Sequence, residues 1–255
     1  MAGQRCVLQR CASAPPVPLI RQNMQMQPFL GLKRLEDGGE RMIPYDSLSA
    51  IHTCSLNGEG AMNYANIKYF DIADGEGVRT SLFVSGCTRH CYNCFNEEAW
   101  DFNAGEPFTR EVEDKIIESL APEYIDGLTL LGGEPMEPEN QRGLVDFVER
   151  VRATYPFGSG KTIWCYTGDT IDELMPGGRH HTEVTDRILA CLDILEDGEF
   201  VQDLYDITLR FMGSSNQRVI DMAATREAAA AAGCSLAEAV VLWEDDPQYT
   251  VHKML

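Results

Sequence analysis

Apolar and polar positions alternate with two different periods along this chain, and the change of period marks its elements. From residue 81 the run Ser81–Ser85 is apolar and ends in Gly86, which predicts a buried strand and a turn at its exit. Thr109 is placed to open a helix through Leu120, and Leu128–Leu131 reads as the next strand. Pro138 starts a second helix, because Leu144, Phe147, Val148 and Val151 recur at i, i+3, i+4 and i+7 and so share one face. Thr162–Tyr166, Asp193–Leu195, Asp206–Phe211 and Val240–Trp243 are further strand candidates. Thr225–Ala232 is an alanine-rich helix closed by Gly233.

Strands and helices therefore alternate from Met62 onward, which predicts an α/β fold built from βαβ units as an incomplete parallel (β/α) barrel. The length after Met62 falls short of the ~250 residues of a complete eight-fold barrel. Residues 1–61 differ: they hold Pro15, Pro16, Pro18, Gly38 and Gly39, with no sustained period and no signal-peptide pattern. The reading is a poorly structured N-terminal extension or a mis-assigned start, with Met62 as the true first residue, a single domain over 62–246 and a tail over 247–255.

Composition narrows the function. The formal charge is −19, and it is uneven: residues 1–61 carry six Lys/Arg against five Asp/Glu, the remainder 15 against 35. Such acidity opposes a phosphate backbone, so no nucleic-acid partner is expected. No apolar stretch approaches the ~20 residues that cross a bilayer, so no membrane is expected either. Nine cysteines, an odd number with three clustered, make a poor disulfide framework and fit a reducing cytoplasm.

The cluster is Cys87, Cys91 and Cys94, on the loop that leaves the first strand. Thiolates suit zinc or iron–sulfur centres. A closed zinc site needs four protein ligands, and no second cysteine pair exists; His90 is the one local residue that could complete a Cys3His knuckle. Three thiolates on an iron–sulfur cube would leave one iron without a protein ligand. The strand Leu128–Leu131 runs into Gly132, Gly133, Glu134 and Pro135, where two glycines permit close backbone approach and a carboxylate follows at once.

On these two motifs the chain resembles the radical S-adenosylmethionine (SAM) superfamily, whose C-x3-C-x2-C loop holds a [4Fe–4S] cluster and whose GGEP-type strand end binds the SAM amino group. More narrowly, Asp74-Gly-Glu-Gly-Val-Arg79, the stretch Thr80–Cys87, Trp164–Gly168, Asp193–Phe200, Gly213–Asp221 and Val240–Trp243 look like the activating proteins of anaerobic (class III) ribonucleoside-triphosphate reductase. The likeness covers roughly residues 62–246.

That resemblance implies the radical SAM type of partial barrel, one cluster on Cys87, Cys91 and Cys94, and SAM contacts from Gly132, Gly133, Glu134 and Pro135. Asn93 and Phe95, beside Cys94, are the candidates for adenine contact; many such loops carry an aromatic just before the third cysteine, where this chain has Asn93 between Tyr92 and Phe95. It also implies a reaction: reduction of the cluster by a donor such as flavodoxin or ferredoxin, cleavage of SAM to methionine and a 5′-deoxyadenosyl radical, and formation of a glycyl radical in the C-terminal glycine loop of the reductase. Activation of another glycyl-radical enzyme of the pyruvate formate-lyase type, or radical chemistry on a small molecule, is the alternative within the superfamily. A zinc-knuckle interaction module is the alternative outside it.

Other residues read less chemically. Asp74 and Arg79 form a local structural pair or receive the partner's loop, and Arg210, Asn216 and Arg218 contact SAM, the partner or the sheet. Cys165 and Cys191 are buried thiols, His180 and His181 sit on a surface loop, and the acidic runs 196–199 and 244–246 are solvated.

Overall fold

The computed structural model describes residues 62–243. The expectations for residues 1–61, including Cys6, Cys11 and Cys54, and those for the acidic run 244–246 and the tail 247–255 lie outside the described residues.

Seven strands form one sheet in the order β3-β1-β2-β4-β5-β6-β7. They are β1 (Asn63–Asp71), β2 (Arg79–Val84), β3 (Glu106–Pro107), β4 (Gly127–Gly132), β5 (Thr162–Tyr166), β6 (Ile194–Asp197) and β7 (Arg218–Asp221). The helices are α1 (Arg110–Ser119), α2 (Pro138–Thr154), α3 (Thr185–Cys191) and α4 (Met222–Ala232). Only the central run β2-β4-β5-β6 is parallel; β1, β3 and β7 pair antiparallel to their neighbours. The expectation of a parallel barrel thus meets a mixed α/β sheet with β3 and β7 at its edges.

Side chains alternate across each strand, and the alternation sorts the two faces. Leu82, Val84, Leu128, Leu130, Ile163, Cys165, Leu195 and Ile220 join the main core, together with Ile116 of α1, the stripe Leu144, Phe147, Val148 and Val151 of α2, Ile188 and Leu189 of α3 and Met222 of α4. All four helices therefore cover one face. The other face presents Trp164, Ile194 and Val219, packed against Phe211 and Trp243.

Two expected strands differ. Asp206–Phe211 forms no strand, because Asp206 Oδ1 accepts from the backbone N–H of Thr208 at 2.8 Å and from its hydroxyl at 2.7 Å, closing a local turn. Val240–Trp243 contributes a single bridge, Ile220 to Leu242. Conversely, β1, β7 and α3 appear where no element was expected.

Arg79 is buried at the start of β2, and it does not pair with Asp74. Its guanidinium donates to the hydroxyls of Thr129 (2.6 Å) and Thr162 (2.9 Å) and to the carbonyls of Leu128 (2.7 Å), Thr162 (3.0 Å) and Glu76 (3.1 Å), while lying over the Trp164 ring. It ties the entry ends of three parallel strands together. Asp74 instead lies 3.8 Å from Lys68.

Candidate cluster and substrate site

Every parallel strand delivers its chemistry at its carboxyl end, where open α/β sheets bind ligands. β2 leads to Gly86 and Cys87, β4 to Gly133 and Glu134, β5 to Thr167, Gly168 and Asp169, and β6 to Gly198 and Glu199. Together they border a cavity of about 630 Å³, on the sheet face that the helices leave uncovered, lined by Cys87, Cys91, Cys94, Gly132, Gly133 and Glu134 among others.

The cysteine loop is fixed from several sides. Gly86 N–H donates to the Ala99 carbonyl at 2.8 Å and Cys87 N–H to that of Trp100 at 3.1 Å, while the Gly86 carbonyl accepts from Glu134 N–H at 2.8 Å. Cys94 N–H donates to the Cys91 carbonyl at 3.1 Å, closing a turn, and Asn96 N–H points at the Cys94 sulfur at 3.4 Å. His90 and Asn93 both adopt left-handed backbone, with φ of 52° and 59°. The His90 ring stacks on Trp100 at 4.5 Å, and the Asn93 amide donates to Gln202 at 3.3 Å.

The thiols differ in environment. Cys87 is buried, and burial together with the nearby charges of Glu134 and Glu137 pushes its thiol up to about 11. Cys91 is half-buried, with Glu199 at 3.8 Å, and its pKa is raised by burial and that carboxylate. Among the described residues no three His, Cys, Asp or Glu side chains close around a point that one metal ion could occupy. The stacking of the His90 ring on Trp100 opposes its service as the fourth ligand of a Cys3His zinc knuckle. A cube spreads its thiolates over separate irons, so three cysteines around one cavity suit it by donor chemistry.

Glu134 is the centre of the acidic wall. It is 1% exposed, its Oε1 accepts from Met136 N–H at 2.9 Å, and its Oε2 accepts from Gly168 N–H at 2.7 Å. Burial, reinforced by the Asp169 charge, raises its pKa to about 7. Across the cavity Glu196 is also buried, and burial beside Asp197 and Glu134 pushes its carboxyl well above the ordinary range. Among the described residues, Glu196 Oε1 and the Tyr166 hydroxyl have no hydrogen-bond partner. The run 196–199 is accordingly not a solvated face at its start: Glu196 and Asp197 are 3% and 0% exposed.

The glycines serve the chain as well as the cavity. A Cβ on Gly132, where φ is +115°, would lie 2.6 Å from Val84 N, and one on Gly133 would lie 2.5 Å from the Gly86 carbonyl oxygen. Both positions are glycine because β2 and its exit pass so close. Phe95 lies on the cavity rim and is largely exposed, Asn93 lines the wall, and Pro135 is buried behind the turn without reaching the lining.

Several residues that sequence reasoning passed over converge here. Arg89, inside the cysteine loop, forms an ion pair with Asp169 and lies 3.4 Å from Glu173, 3.6 Å from Glu199 and 3.9 Å from Glu134. His180, expected on a surface loop, is buried because the turn through Gly177 and Gly178 folds it inward toward Asp169. Arg218 pairs with Asp197, Asn216 donates to the Glu199 carbonyl at 2.8 Å, and Arg210 lies over Phe211; none of the three lines the main cavity.

A family described as a 4Fe-4S single cluster domain matches residues 73–220. Anaerobic ribonucleoside-triphosphate reductase-activating proteins share identity with the same part of the chain. The one from Escherichia coli K12 is 43% identical over 160 residues, covering 62% of this chain and 97% of the relative. This chain belongs to that family of activating proteins. Its relative in Pasteurella multocida is 42% identical over 158 residues (61% of this chain, 95% of the relative), and the family member in Enterobacteria phage T4 is 33% identical over 158 residues (62% and 93%). The family match spans β2 through β7 and so contains the cysteine loop, the glycine turn and the acidic wall.

Proposed function

We propose that this protein activates anaerobic ribonucleoside-triphosphate reductase by generating a glycyl radical on it through radical SAM chemistry. The observation that carries the reading is the meeting, in one cavity, of Cys87, Cys91 and Cys94 with the turn Gly132–Glu134. The central parallel strands correspond, in this reading, to the radical SAM type of partial barrel, and residues 62–246 to the catalytic domain.

Cys87, Cys91 and Cys94 would each hold one iron of a [4Fe–4S] cluster, leaving the fourth open to SAM. When bound and reduced, the cluster supplies the electron that divides SAM into methionine and a 5′-deoxyadenosyl radical. The protein's own groups bind and orient. Glu134, fixed by two backbone N–H groups, faces the cavity as an acceptor for the methionine ammonium, and the unpartnered Glu196 Oε1 and Tyr166 hydroxyl offer further polar contacts. An acidic wall suits SAM, which carries both a sulfonium and an ammonium. Asn93 and Phe95 stand where the adenine would enter, and Pro135 supports the turn from behind. The hydrogen atom taken from the reductase glycine ends on 5′-deoxyadenosine, and the unpaired electron stays on the glycine. The electron would come from a small donor such as flavodoxin or ferredoxin in the cytoplasm. Among the described residues no helix is long and apolar enough to cross a membrane.

The test is anaerobic reconstitution with iron and sulfide, reduction by dithionite, and EPR with and without SAM, followed by addition of the reductase. A [4Fe–4S] signal that changes on SAM addition and is lost in Cys91→Ala, with a glycyl radical on the reductase, supports the reading. Stoichiometric zinc and no cluster would overturn it.

A further inference from the structure

Between Cys87 and Cys91 the loop carries Thr88, Arg89 and His90, and two carboxylates from different elements grip the first two. Glu137, at the entry to α2, accepts on Oε1 from the Thr88 N–H at 2.7 Å and from its hydroxyl at 2.6 Å. Asp169, in the turn after β5, takes the Arg89 guanidinium on Oδ1. One side chain stands between the two carboxylates. His180 Nδ1 lies 2.6 Å from Asp169 Oδ2, and its Nε2 lies 3.8 Å from Glu137 Oε2. All three residues are buried.

His180 is itself fixed by its backbone. Its N–H donates to the Glu173 carbonyl at 3.2 Å, and its carbonyl accepts from the Gln141 amide at 2.7 Å. The imidazole therefore stands on a frame made by α2 and the segment after β5, and reaches the loop only through the carboxylates.

We propose that His180 is a positioning residue of the cysteine loop: bonded to Asp169 and standing 3.8 Å from Glu137 Oε2, it holds Arg89 through the first and backs the Thr88 clamp through the second, and so sets the separation of Cys87 and Cys91. This rests on the reading that these cysteines hold the cluster. The physical reason lies in Asp169. One oxygen serves Arg89 and the other serves His180, so the carboxylate plane has one arrangement. Without the imidazole Oδ2 would be buried and unpaired, a condition relieved by rotation of the carboxylate, and Arg89 would turn with it. Groups bonded directly to a metal's ligands change metal affinity about 10- to 100-fold when removed, and His180 acts further out, through Asp169 and Arg89, so its effect belongs at the lower end.

The experiment compares the full-length wild type with His180→Ala, His180→Asn and Thr88→Val, all reconstituted anaerobically. It measures iron release to a chelator, the midpoint potential of the cluster by EPR-monitored titration, and Tm before reconstitution. The Asn amide can occupy the place of Nδ1 and keep the bond to Asp169. Expected are release about tenfold faster and a shifted potential in H180A, near-wild-type values in H180N, and faster release in T88V with an unchanged Tm. Wild-type release and potential in H180A overturn the proposal. So does an equal loss of Tm in H180A and H180N with no change of potential, which marks a structural role only. Should H180A fail to fold, T88V decides, because Thr88 is exposed: unaltered release overturns the clamp. A wild type that takes up no cluster overturns instead the reading of the cysteines, and the positioning role with it.

Discussion

Oε2 of Glu134 lies 2.7 Å from the backbone nitrogen of Gly168, so the turn after β4 is joined to the turn after β5 by a carboxylate. Gly168 also lies against Arg89: a Cβ there would come 2.5 Å from Arg89 Cδ. The glycine turn, the β5 exit and the cysteine loop are consequently tied to one another through Gly168.

The protonation of Glu134 makes stability depend on pH. Its pKa is about 7 in the fold against 4.5 as the ordinary value, so its contribution is fully present below pH 4.5 and is lost as pH rises through 7. In the protein before reconstitution, the stability difference between Glu134→Gln and wild type shifts in the variant's favour by about 3 kcal/mol at most between pH 4 and pH 8. Urea unfolding across that range measures it, and a constant difference contradicts it. Asp74, raised to about 7 mainly by burial, contributes with the same sign between pH 3.8 and 7.

Arg79→Ala removes five hydrogen bonds at the entry ends of β2, β4 and β5 and leaves buried acceptors unpaired. The expected loss is on the order of 3 kcal/mol by urea unfolding. Arg79→Lys recovers little of it, since one ammonium cannot span two hydroxyls and three carbonyls.

Gly133→Ala and Gly168→Ala separate two kinds of crowding. At Gly133 the new methyl meets only backbone, the carbonyl oxygens of Gly86 and Ala99 at 2.5 and 2.8 Å, so the exit of β2 must move. At Gly168 it meets Arg89 Cδ and Nε at 2.5 and 2.8 Å, on a side chain held by its ion pair with Asp169, so the crowding falls on that pair rather than on backbone. Thermal unfolding is expected to show a cost of about 2 kcal/mol or more at both positions.

Phe147→Ala opens the packing beneath α2, where Phe147 meets Phe108 edge to face at 5.2 Å. It is expected to cost about 3 to 5 kcal/mol. Ile207→Ser, at a side chain 83% exposed, stays within about 0.5 kcal/mol by the same chemical denaturation.

Local pattern was legible wherever local forces decide structure. β5 occupies Thr162–Tyr166 as read, α2 begins at Pro138 with its apolar stripe buried, and α4 ends at Gly233 in the left-handed conformation that glycine permits. β1 escaped notice because only its last residue, Asp71, is buried and its side chains carry no clean alternation. β7 was hidden by its brevity, four residues with only Val219 and Ile220 buried. In the site, the cysteine spacing and the glycine turn were visible because each is contiguous. The clamp was not: Arg89 meets Asp169 across 80 positions and Glu137 meets Thr88 across 49, and no local signal announces such pairs. The inward turn of His180 was obscured by the Pro-Gly-Gly lead-in, which describes residues 176–178 correctly and says nothing about where the next side chain goes.

The left-handed backbone at His90 and Asn93 has a consequence for which chains can carry this loop. A β-branched residue at either place would oppose a backbone shape that costs other residues about 1 to 2 kcal/mol, whereas glycine, asparagine or aspartate would accept it. The spacer residues are therefore screened by handedness before any chemistry is asked of them. A library randomised at positions 90 and 93 and sorted for folded protein should return glycine, asparagine, aspartate and histidine above β-branched residues, and return them even from pools grown without iron.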